Sequence, residues 1–382
     1  MPDAIWIDRD GELSKLARQL ESEACLGVDT EFLRERTFFP KLCLLQISAG
    51  AGIWCIDTLR LDLAPLVPVL TAAATRKVIH AARQDLEAFY LTTKQIISPV
   101  FDTQIAAGCI GLKPQIGYAE LANLLIGVTV SKGQTRTDWS KRPLSPEQLD
   151  YAADDVLHLG PVADRLSERL RELGREHWVR EDCLALEQAE LYEPNPALAW
   201  ERLRGLAQLE PKPRSRAKAI AVWRERIARD RDLPRSWILT DSAIFELAQA
   251  QPKTIAALRA VPSMPASFNE AFAASLLEAL LHEARTDPED LEPSQELRPT
   301  PAQKAAALEL NKIVDARAAE LGVSAEILAP RGELKALAMG RRDGHALTGW
   351  RRAEIGERLL ASLGCAPRHE ARLRLGEAPS GI

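Results

Sequence analysis

The sequence predicts an α/β domain with a mixed sheet, followed by helical segments. From Ala4 to about Ile110 strand-like and helix-like patterns alternate, which is typical of α/β architecture. Strands are predicted in four apolar runs, which read LGVDTEF, KLCLLQISA, GIWCID and RKVIHA. Short Gly or Pro punctuation separates the first three runs, and this favours hairpins.

Helical spacing follows these strands. It appears after Arg83, in GYAELANLLIG, and in a long run from Pro146 to about Leu186, in which Gly160 and Pro161 predict a kink. Linkers are predicted in LYEPNPALAW and, near residue 290, in TDPEDLEPSQELRPTP. The helical segments beyond the linkers, WRERIARDRDLPRSWILTDSAIFELA and VDARAAELGVSAEILAPRGELKALA, are alike at an offset of roughly 90 residues. We therefore expect two copies of one small helical domain.

Composition limits the class of protein. A chain of 382 residues has room for two or three domains, and its apolar fraction of 46% and charged fraction of 27% are ordinary for a soluble protein. The first residues show no basic segment followed by an apolar run, and no apolar stretch approaches spanning length. The sequence thus predicts a cytoplasmic protein without membrane association. The net charge of −5 argues against wholesale coating of nucleic acid.

The cysteines are scattered, without a Cys-x-x-Cys pair, and most have apolar neighbours. They are expected to be reduced core residues. A zinc site would need clustered Cys and His, so any metal should be held by oxygen atoms. The six cysteines are Cys25, Cys43, Cys55, Cys109, Cys183 and Cys365.

The stretch GVDTEF places two carboxylates on one face of a predicted strand. Side chains alternate along a strand, so Asp29 and Glu31 share one face while Val28 and Thr30 take the other. Burying two unpaired like charges would cost several kcal/mol, so a positive group is expected between them. An isolated Asp-x-Glu is more often a solvent-facing strand edge, and the pair gains meaning only with further acids.

Further acids follow on predicted helices. In VIHAARQDLEAF, Asp85 lies near the start of a helix, where the dipole alone favours a carboxylate. In SPEQLDYAADDVLHL, Tyr151 and Asp155 are four residues apart and hence share a helical face. At about 100° per residue, Asp155 lies roughly 80° from the centre of the apolar stripe, and Asp154 lies nearly opposite it. Asp155 is thus predicted to flank the core and Asp154 to face water. The stripe consists of Leu149, Ala152, Val156, Leu159 and Ala163.

Four segments carry a resemblance to a known family. VDTEF, IHAARQDL, FDTQIAA and WSKRPLSPEQLDYAADDVLHL, in this order, resemble the DEDD family of 3′ to 5′ exonucleases, in the branch with Tyr in its last motif. The two later segments look like tandem HRDC domains, the second lacking the Trp and Pro of the first. The resemblance implies a ribonuclease H-like mixed-sheet exonuclease domain over residues 1–193 and two small all-α domains over 198–286 and 300–370.

The resemblance also implies a metal site. Phosphodiester hydrolysis needs a strong nucleophile and relief of charge on the leaving 3′ oxygen, and two divalent ions supply both. Mg²⁺ and Mn²⁺ prefer carboxylate oxygen. Carried over from the family, Asp29 would bridge both ions, Glu31 and Asp155 would complete the first site, and Asp85 would hold the second. Tyr151 would orient the attacking water, since an unperturbed Tyr is a poor base near neutral pH.

Substrate contacts are indicated less specifically. Phe32 and Leu33 follow the acid pair and suit stacking against the terminal base, although core packing explains Phe32 equally well. His80 is expected to be a structural or substrate-contacting residue rather than a general base. Position alone suggests phosphate or sugar contacts for Arg34, Gln46 and Arg142.

A basic segment lies beyond the first linker. In KPRSRAKAIAVWRERIARDRDLPRSW, Lys and Arg far outnumber the acids, and Trp223 and Trp237 are interleaved. We expect this segment to contact nucleic acid, with Trp223 in the core and phosphate contacts from Arg224, Arg226 and Arg229.

Three function classes remain open at this point. The first is a metal-dependent exoribonuclease that releases 5′-mononucleotides from RNA 3′ ends, the family implying tRNA precursors and other structured or small RNAs as substrates. The second is a DNA exonuclease of the proofreading or helicase-associated type, disfavoured because no P-loop motif occurs. The third is a non-catalytic nucleic-acid-binding protein, which the presence of all five site residues opposes. A monomer is expected because no long heptad pattern occurs.

Overall fold

The computed structural model describes residues 4–50, 52–130, 133, 137–193, 195–265, 268–283 and 299–364. The predicted linker near residue 290 lies largely outside this part of the chain, as do Cys365 and the predicted ends of the two helical domains at residues 286 and 370. The chain divides into two compact units. The first contains Met1–Ala107 and Gln115–Arg298, and the second contains Gly108–Pro114 and Pro299–Ile382.

A mixed sheet forms the centre of the first unit, as predicted. Its strands lie in the order β1-β4-β3-β2-β5-β6, with β2, β3 and β4 antiparallel and the remaining pairs parallel. All four predicted strands are present; β1 and β6 were missed because three residues are too few to show a pattern. The strands are β1 (Ile5–Ile7), β2 (Cys25–Leu33), β3 (Lys41–Ala49), β4 (Gly52–Ile56), β5 (Arg76–Ile79) and β6 (Val100–Asp102).

Helices accompany the sheet along the first half of the chain. The predicted long helical run is broken at His158, and Pro161 lies in the first turn of the next helix, where a missing N–H costs nothing. A capping box of Ser145 and Gln148 fixes the start of this run. The helices are α1 (Asp10–Leu20), α2 (Val67–Leu70), α3 (Arg83–Thr93), α4 (Thr103–Cys109), α5 (Tyr118–Ile126), α6 (Pro146–Leu157), α7 (Leu159–Leu173) and α8 (Glu176–Leu186).

The sheet is covered on both faces. Helices α1 and α3 pack on one face, where Val28 and Ile47 point into the core. Helices α6 and α7 pack on the other, where Leu44 and Cys55 meet Ala152 of α6. This three-layer arrangement places helix ends from both sides near the open end of β2.

Further helices follow the first linker within the same unit. Trp223 is buried among them, as predicted, and its indole N–H donates to the Ser275 hydroxyl at 3.0 Å. Arg224 is buried as well, and its guanidinium donates to the Leu239 carbonyl and to Asp241. The expectation that Arg224 contacts phosphate is therefore wrong. The helices are α9 (Pro211–Asp230), α10 (Arg235–Ile238), α11 (Asp241–Ala250), α12 (Ile255–Arg259) and α13 (Glu270–Glu283).

The loop between β2 and β3 packs against these helices. Phe38 is buried in the same apolar cluster as Trp223. The Asp232 carboxylate accepts the backbone N–H groups of Phe38 and Phe39, each at 3.0 Å. The loop between β2 and β3 therefore shares an apolar core with helices that follow residue 193. The domain boundary at residue 193 stays a prediction.

The second unit is helical. Its buried side chains include Leu310, Val314, Leu334 and Trp350. Its helices are α14 (Pro301–Leu321), α15 (Ala325–Leu328), α16 (Arg331–Ala338), α17 (Gly349–Arg351) and α18 (Glu357–Ser362), with a π-helical turn at Arg352–Gly356. That this unit is a second HRDC-like domain stays a prediction.

Two expectations about the whole chain can be compared with the described residues. Their five cysteines are free thiols, four of them buried, as expected for reduced core residues. None of the described helices combines the length and apolar character needed to cross a bilayer.

Candidate active site

The predicted acids lie together at the second, C-terminal half of β2. In the described sheet, β5 pairs with β2 at Cys25, Leu26 and Gly27, so the following residues have an open edge on that side. Asp29 and Glu31 lie on the face covered by α6, and Thr30 points to the face covered by α3. Side chains from both helices can therefore reach this half of the strand.

Three carboxylates form a compact cluster at this place. One carboxylate oxygen from each of Asp29, Glu31 and Asp155 lies within 4.8 Å of the other two. Asp29 and Glu31 come from β2 and Asp155 from α6. Side chains from one face of the strand and one face of the helix thus form a single site lined by oxygen atoms.

A close contact between α6 and the sheet positions Asp155. A Cβ atom on Gly27 would lie 2.3 Å from Ser48 Oγ, 3.0 Å from the Val156 carbonyl oxygen and 3.2 Å from Leu159 Cβ. The Ser48 hydroxyl donates to the same Val156 carbonyl at 2.7 Å. Glycine is therefore required for the end of α6 to approach β2 this closely, and the approach carries Asp155 to the acid pair.

The fourth carboxylate, Asp85, comes from the first turn of α3. It is buried, and the Thr30 hydroxyl donates to it at 2.6 Å. Its charge acts on Asp29 more strongly than those of the other site carboxylates. Asp85 thus lies beside the three-carboxylate cluster on its α3 side.

Asp102 holds the turn from which α3 starts. This buried carboxylate accepts the backbone N–H groups of Ala81 and Ala82 at 3.1 and 2.8 Å. It also accepts those of Gln104 and Ile105, at 2.8 and 3.2 Å, at the start of α4. Ala81 has a φ of +57°, a conformation that L-residues rarely adopt without such support. No role was predicted for Asp102, although an Asp between a strand and a helix is a capping signal.

Burial and mutual repulsion raise the pKa values of the site carboxyls. Burial is the largest cause at all four positions; it raises the pKa of Asp29 well above its usual range and that of Glu31 to about 9. Neighbouring carboxylates add to the shift at these two residues. The pKa values of Asp85 and Asp155 rise to about 7, opposed by hydrogen bonds from Thr30 and Tyr151 respectively. A cation among these groups would remove the repulsion.

Tyr151 lies next to the cluster on α6. Its hydroxyl donates a hydrogen bond to Asp155, four residues later on the same helical face. Its ring lies beside the buried Trp139, with ring centroids 6.1 Å apart. Packing thus fixes the Tyr151 ring, and the hydrogen bond to Asp155, a candidate metal ligand, fixes its hydroxyl.

The donor set fits a divalent metal ion. All four site side chains offer carboxylate oxygens, which hard divalent cations prefer. Burial and the neighbouring carboxylates raise the pKa values of Asp29 and Glu31, and a cation held among these groups would favour their charged forms. Asp29, Glu31 and Asp155 are close enough to share one ion.

The prediction for Asp154 is wrong. Asp154 is buried, at 7% exposure, whereas Asp155 is only half-buried. The apolar stripe describes only the side of α6 that packs on the sheet, but another side of α6 is covered as well. Burial raises the pKa of the Tyr118 phenol on α5, and the charges of Asp155 and Asp154 raise it further, which places Tyr118 near both acids.

Arg142 is held by contacts within the protein, and Gln46 is buried. Arg142 forms an ion pair with the buried Asp57, at 2.9 and 2.7 Å. Its remaining N–H groups donate to the carbonyls of Cys43, Trp139 and Lys141. Gln46 is fully buried beside Asp29 in the β2–β3 register. A substrate contact from either side chain stays a prediction.

His80 is engaged on both ring nitrogens. Nδ1 lies 2.8 Å from the Thr103 hydroxyl and Nε2 lies 3.0 Å from the Ile116 carbonyl oxygen. Burial lowers its pKa. This geometry supports the structural role among the two that the sequence left open.

The remaining substrate-contact candidates lie where β2 ends. Phe32 and Leu33 are half-buried and pack on opposite faces of the sheet, Phe32 on the α3 side and Leu33 on the α6 side. Arg34 is exposed and forms a bidentate pair with Glu87, at 2.8 and 3.0 Å. A stacking role for Phe32 and Leu33 stays a prediction.

Comparison with known proteins identifies the family. The 3'-5' exonuclease family model matches residues 4–171, and the HRDC domain model matches residues 214–280. The chain is 37% identical over 371 residues to ribonuclease D of Granulibacter bethesdensis, covering 94% of this chain and 92% of the relative. The chain belongs to the ribonuclease D family. Ribonuclease D of Xanthomonas oryzae pv. oryzae is 36% identical, with 94% and 98% covered.

A solved ribonuclease D supports the same assignment. The crystal structure of Escherichia coli RNase D, described as an exoribonuclease involved in structured RNA processing, matches with a TM-score of 0.87 at 27% identity. The match covers 94% of this chain and 98% of that one. This ribonuclease D family member is therefore a 3′ to 5′ exoribonuclease with an exonuclease domain followed by an HRDC domain. Enzymes of this exonuclease family depend on divalent metal ions, which agrees with the carboxylate cluster.

The Gly27 contact generates a first prediction. Gly27→Ala should lower exoribonuclease activity by about tenfold or more, because the added methyl group pushes the end of α6, and Asp155 with it, away from β2. Gly117→Ala is the matched control, since a Cβ there meets no atom within 4 Å. Steady-state rates on a short RNA measure the activity of each variant, and thermal unfolding measures its stability. Unchanged activity of the Gly27 variant would contradict this role.

The raised pKa values generate a second prediction. Because the Glu31 pKa is raised from its ordinary 4.5 to about 9, folded metal-free protein keeps a proton that the unfolded chain loses, so its stability falls as pH rises through this window. In EDTA, Glu31→Gln should therefore gain thermal stability relative to the wild type between about pH 4.5 and 9. A divalent cation should reverse the order, since it stabilises the full carboxylate set. A difference that is constant with pH would contradict the assignment.

Proposed function

We propose that the enzyme shortens the 3′ ends of tRNA precursors and other structured or small RNAs, as a monomer, with two Mg²⁺ or Mn²⁺ ions at the acid site. The observation that supports it most is the meeting of Asp29, Glu31 and Asp155 within 4.8 Å, with Asp85 beside them. Its relatives named ribonuclease D and the similar solved enzyme of structured RNA processing support RNA as substrate.

Four carboxylates would hold the metal ions. We assign Glu31 and Asp155 to one ion, Asp85 to the other, and Asp29 to both, in line with the separate origin of Asp85 on α3. When bound, such ions supply a water made more nucleophilic and positive charge for the departing 3′ oxygen. The chain's own contribution is to fix these four oxygen donors before substrate arrives.

Tyr151 is assigned to orient the attacking water. Its hydroxyl is already fixed by donation to Asp155, and its ring is packed beside Trp139. A hydroxyl that donates its one hydrogen in this way can still accept a hydrogen bond from water. The proposal gives Tyr151 a positioning task in the reaction and assigns it no proton transfer.

A cytoplasmic location belongs to the same proposal. The free thiols of the five described cysteines fit a reducing compartment, and so does a substrate such as a tRNA precursor.

The role of Tyr151 can be tested with one substitution. Tyr151→Phe should lower kcat by about 10² to 10⁴ and leave RNA affinity nearly unchanged, because one water-positioning hydroxyl is lost while the packed ring remains. Rates at saturating RNA and affinities in EDTA measure the two effects. Wild-type kcat would refute the role, and weakened affinity would instead assign Tyr151 to substrate binding.

The activity is tested with RNA ends. A linear 3′-hydroxyl RNA should lose 5′-mononucleotides stepwise in Mg²⁺, and a circle of the same sequence should survive. Asp29→Asn should abolish the reaction, whereas Asp150→Asn, at an exposed acid of α6, should not. Cleavage of the circle would indicate an endonuclease, and faster hydrolysis of the matching DNA strand would favour a DNA exonuclease. End-labelled substrates resolved on gels report every outcome.

A further inference from the structure

The side-chain amide of Gln46 is fully buried and unpaired. Gln46 lies in the middle of β3 and is 0% exposed. Among the residues that the structure describes, neither its Nε2 nor its Oε1 atom has a hydrogen-bond partner. A buried amide without a partner destabilises a fold, and such groups in native proteins are completed by ordered water, by an ion or by a functional partner.

The sheet places this amide opposite Asp29. Gln46 and Asp29 are partners in the antiparallel register of β2 and β3, and Gln46 is paired on its other side with Cys55 of β4. Residues directly opposite each other in antiparallel strands have Cβ atoms about 4.5–5.5 Å apart and point to the same face. Cys55 meets α6 on this face. The Gln46 amide and the Asp29 carboxyl therefore both point to the layer between the sheet and α6.

The other neighbours of Gln46 on this face are poorer partners. Leu44 and Ser48 lie two residues away along β3, and Cys55 lies opposite on β4. Leucine has no polar side-chain atom, a thiol is a weak donor and acceptor, and the Ser48 hydroxyl already donates to a backbone carbonyl of α6. Among these four neighbours, Asp29 is the one with a carboxyl group.

Asp29 in turn lies among groups that do not support it with a side-chain donor. Its carboxyl accepts the backbone N–H of Thr30, and the other groups that act on it are the carboxyls of Asp85, Asp155 and Glu31. A carboxylate that binds metal is itself held in direction by hydrogen bonds from residues behind it. The Gln46 amide is a donor of the required kind on the adjacent strand.

We propose that Gln46 is a positioning residue for Asp29, whose carboxylate accepts the Gln46 amide N–H when it holds divalent metal ions. A glutamine side chain has three rotatable bonds, so rotation alone can bring Nε2 to a carboxylate on the opposite strand. Each carboxylate oxygen has two lone pairs and can accept an N–H while it binds an ion. The inference rests on the proposed assignment of Asp29 to both ions, and it places Gln46 behind the metal site rather than in contact with RNA.

The test measures metal binding without RNA. Gln46→Met removes both polar atoms and keeps an unbranched side chain of similar length. Leu44→Met is the matched control, because it places the same side chain on the same strand and face, two residues away. Mn²⁺ binding to the full-length wild type, to both variants and to Asp29→Asn is followed by the EPR signal of the free ion. Thermal unfolding in EDTA measures the stability of each protein, and anisotropy of a short fluorescent RNA in EDTA measures its RNA affinity.

The two methionine variants should differ. Gln46→Met should weaken Mn²⁺ binding by about 10- to 100-fold, which is the loss found for residues that support metal ligands. Its Tm in EDTA should equal or exceed that of the wild type, because an unpaired buried amide is removed. Its RNA affinity in EDTA should be unchanged, since Gln46 acts through Asp29. Leu44→Met should bind Mn²⁺ like the wild type.

Four results would overturn the inference. Unchanged Mn²⁺ binding by Gln46→Met would show that the amide does not support Asp29, and a Tm in EDTA well below that of the wild type would show that the amide is already paired in the metal-free fold. Weaker RNA binding in EDTA would assign Gln46 to the substrate. Equal losses of Mn²⁺ binding in Gln46→Met and Leu44→Met would show a packing effect.

Asp29→Asn separates this inference from the proposed function. If Asp29→Asn binds Mn²⁺ as tightly as the wild type, the metal assignment is refuted and the inference with it. If Asp29→Asn loses Mn²⁺ binding while Gln46→Met retains it, the metal assignment stands and the role of Gln46 alone is refuted.

Discussion

The burial of four carboxylates, together with the repulsion among them, is the constraint on which the rest of this site depends. The fold brings four carboxyl groups together although their raised pKa values indicate that the charged form of each is disfavoured there. These groups belong to Asp29, Glu31, Asp85 and Asp155. The fold opposes this repulsion with contacts that lie outside the site. Gly27 and Ser48 hold α6 against β2, and Asp102 holds the turn before α3. Preorganisation of this kind costs stability in the metal-free protein and supplies affinity for cations.

The sequence predicts what depends on local pattern. Apolar runs with clear punctuation identified four strands, and the alternation within GVDTEF placed Asp29 and Glu31 on one face, as the structure has them. Helical geometry selected Asp155 over Asp154 as the residue that reaches this pair. These inferences succeed because strand and helix periodicity is set by the backbone and holds whatever packs against it.

Other features depend on partners that a pattern does not reveal. Asp154 is buried because a second surface covers α6. The apolar stripe describes only the helix face that packs on the sheet, so it does not predict burial on another face. Arg142 and His80 look like substrate-binding residues until Asp57, Thr103 and Ile116 are known to occupy their donors and acceptors. Arg224 was misplaced for the same reason. Long-range pairing, rather than residue type, decides whether a polar side chain is available.

The burial of Phe38 has a consequence for how such enzymes can diverge. The two matched family regions, residues 4–171 and 214–280, look like modules that recombination could exchange. Yet the loop that leaves the catalytic strand contributes a side chain to the interior of the second module, and Asp232 of that module binds the loop's backbone. A lineage that replaced its HRDC domain would have to change residues 38 and 39 at the same time. The two regions are therefore coupled physically through a few residues of one loop.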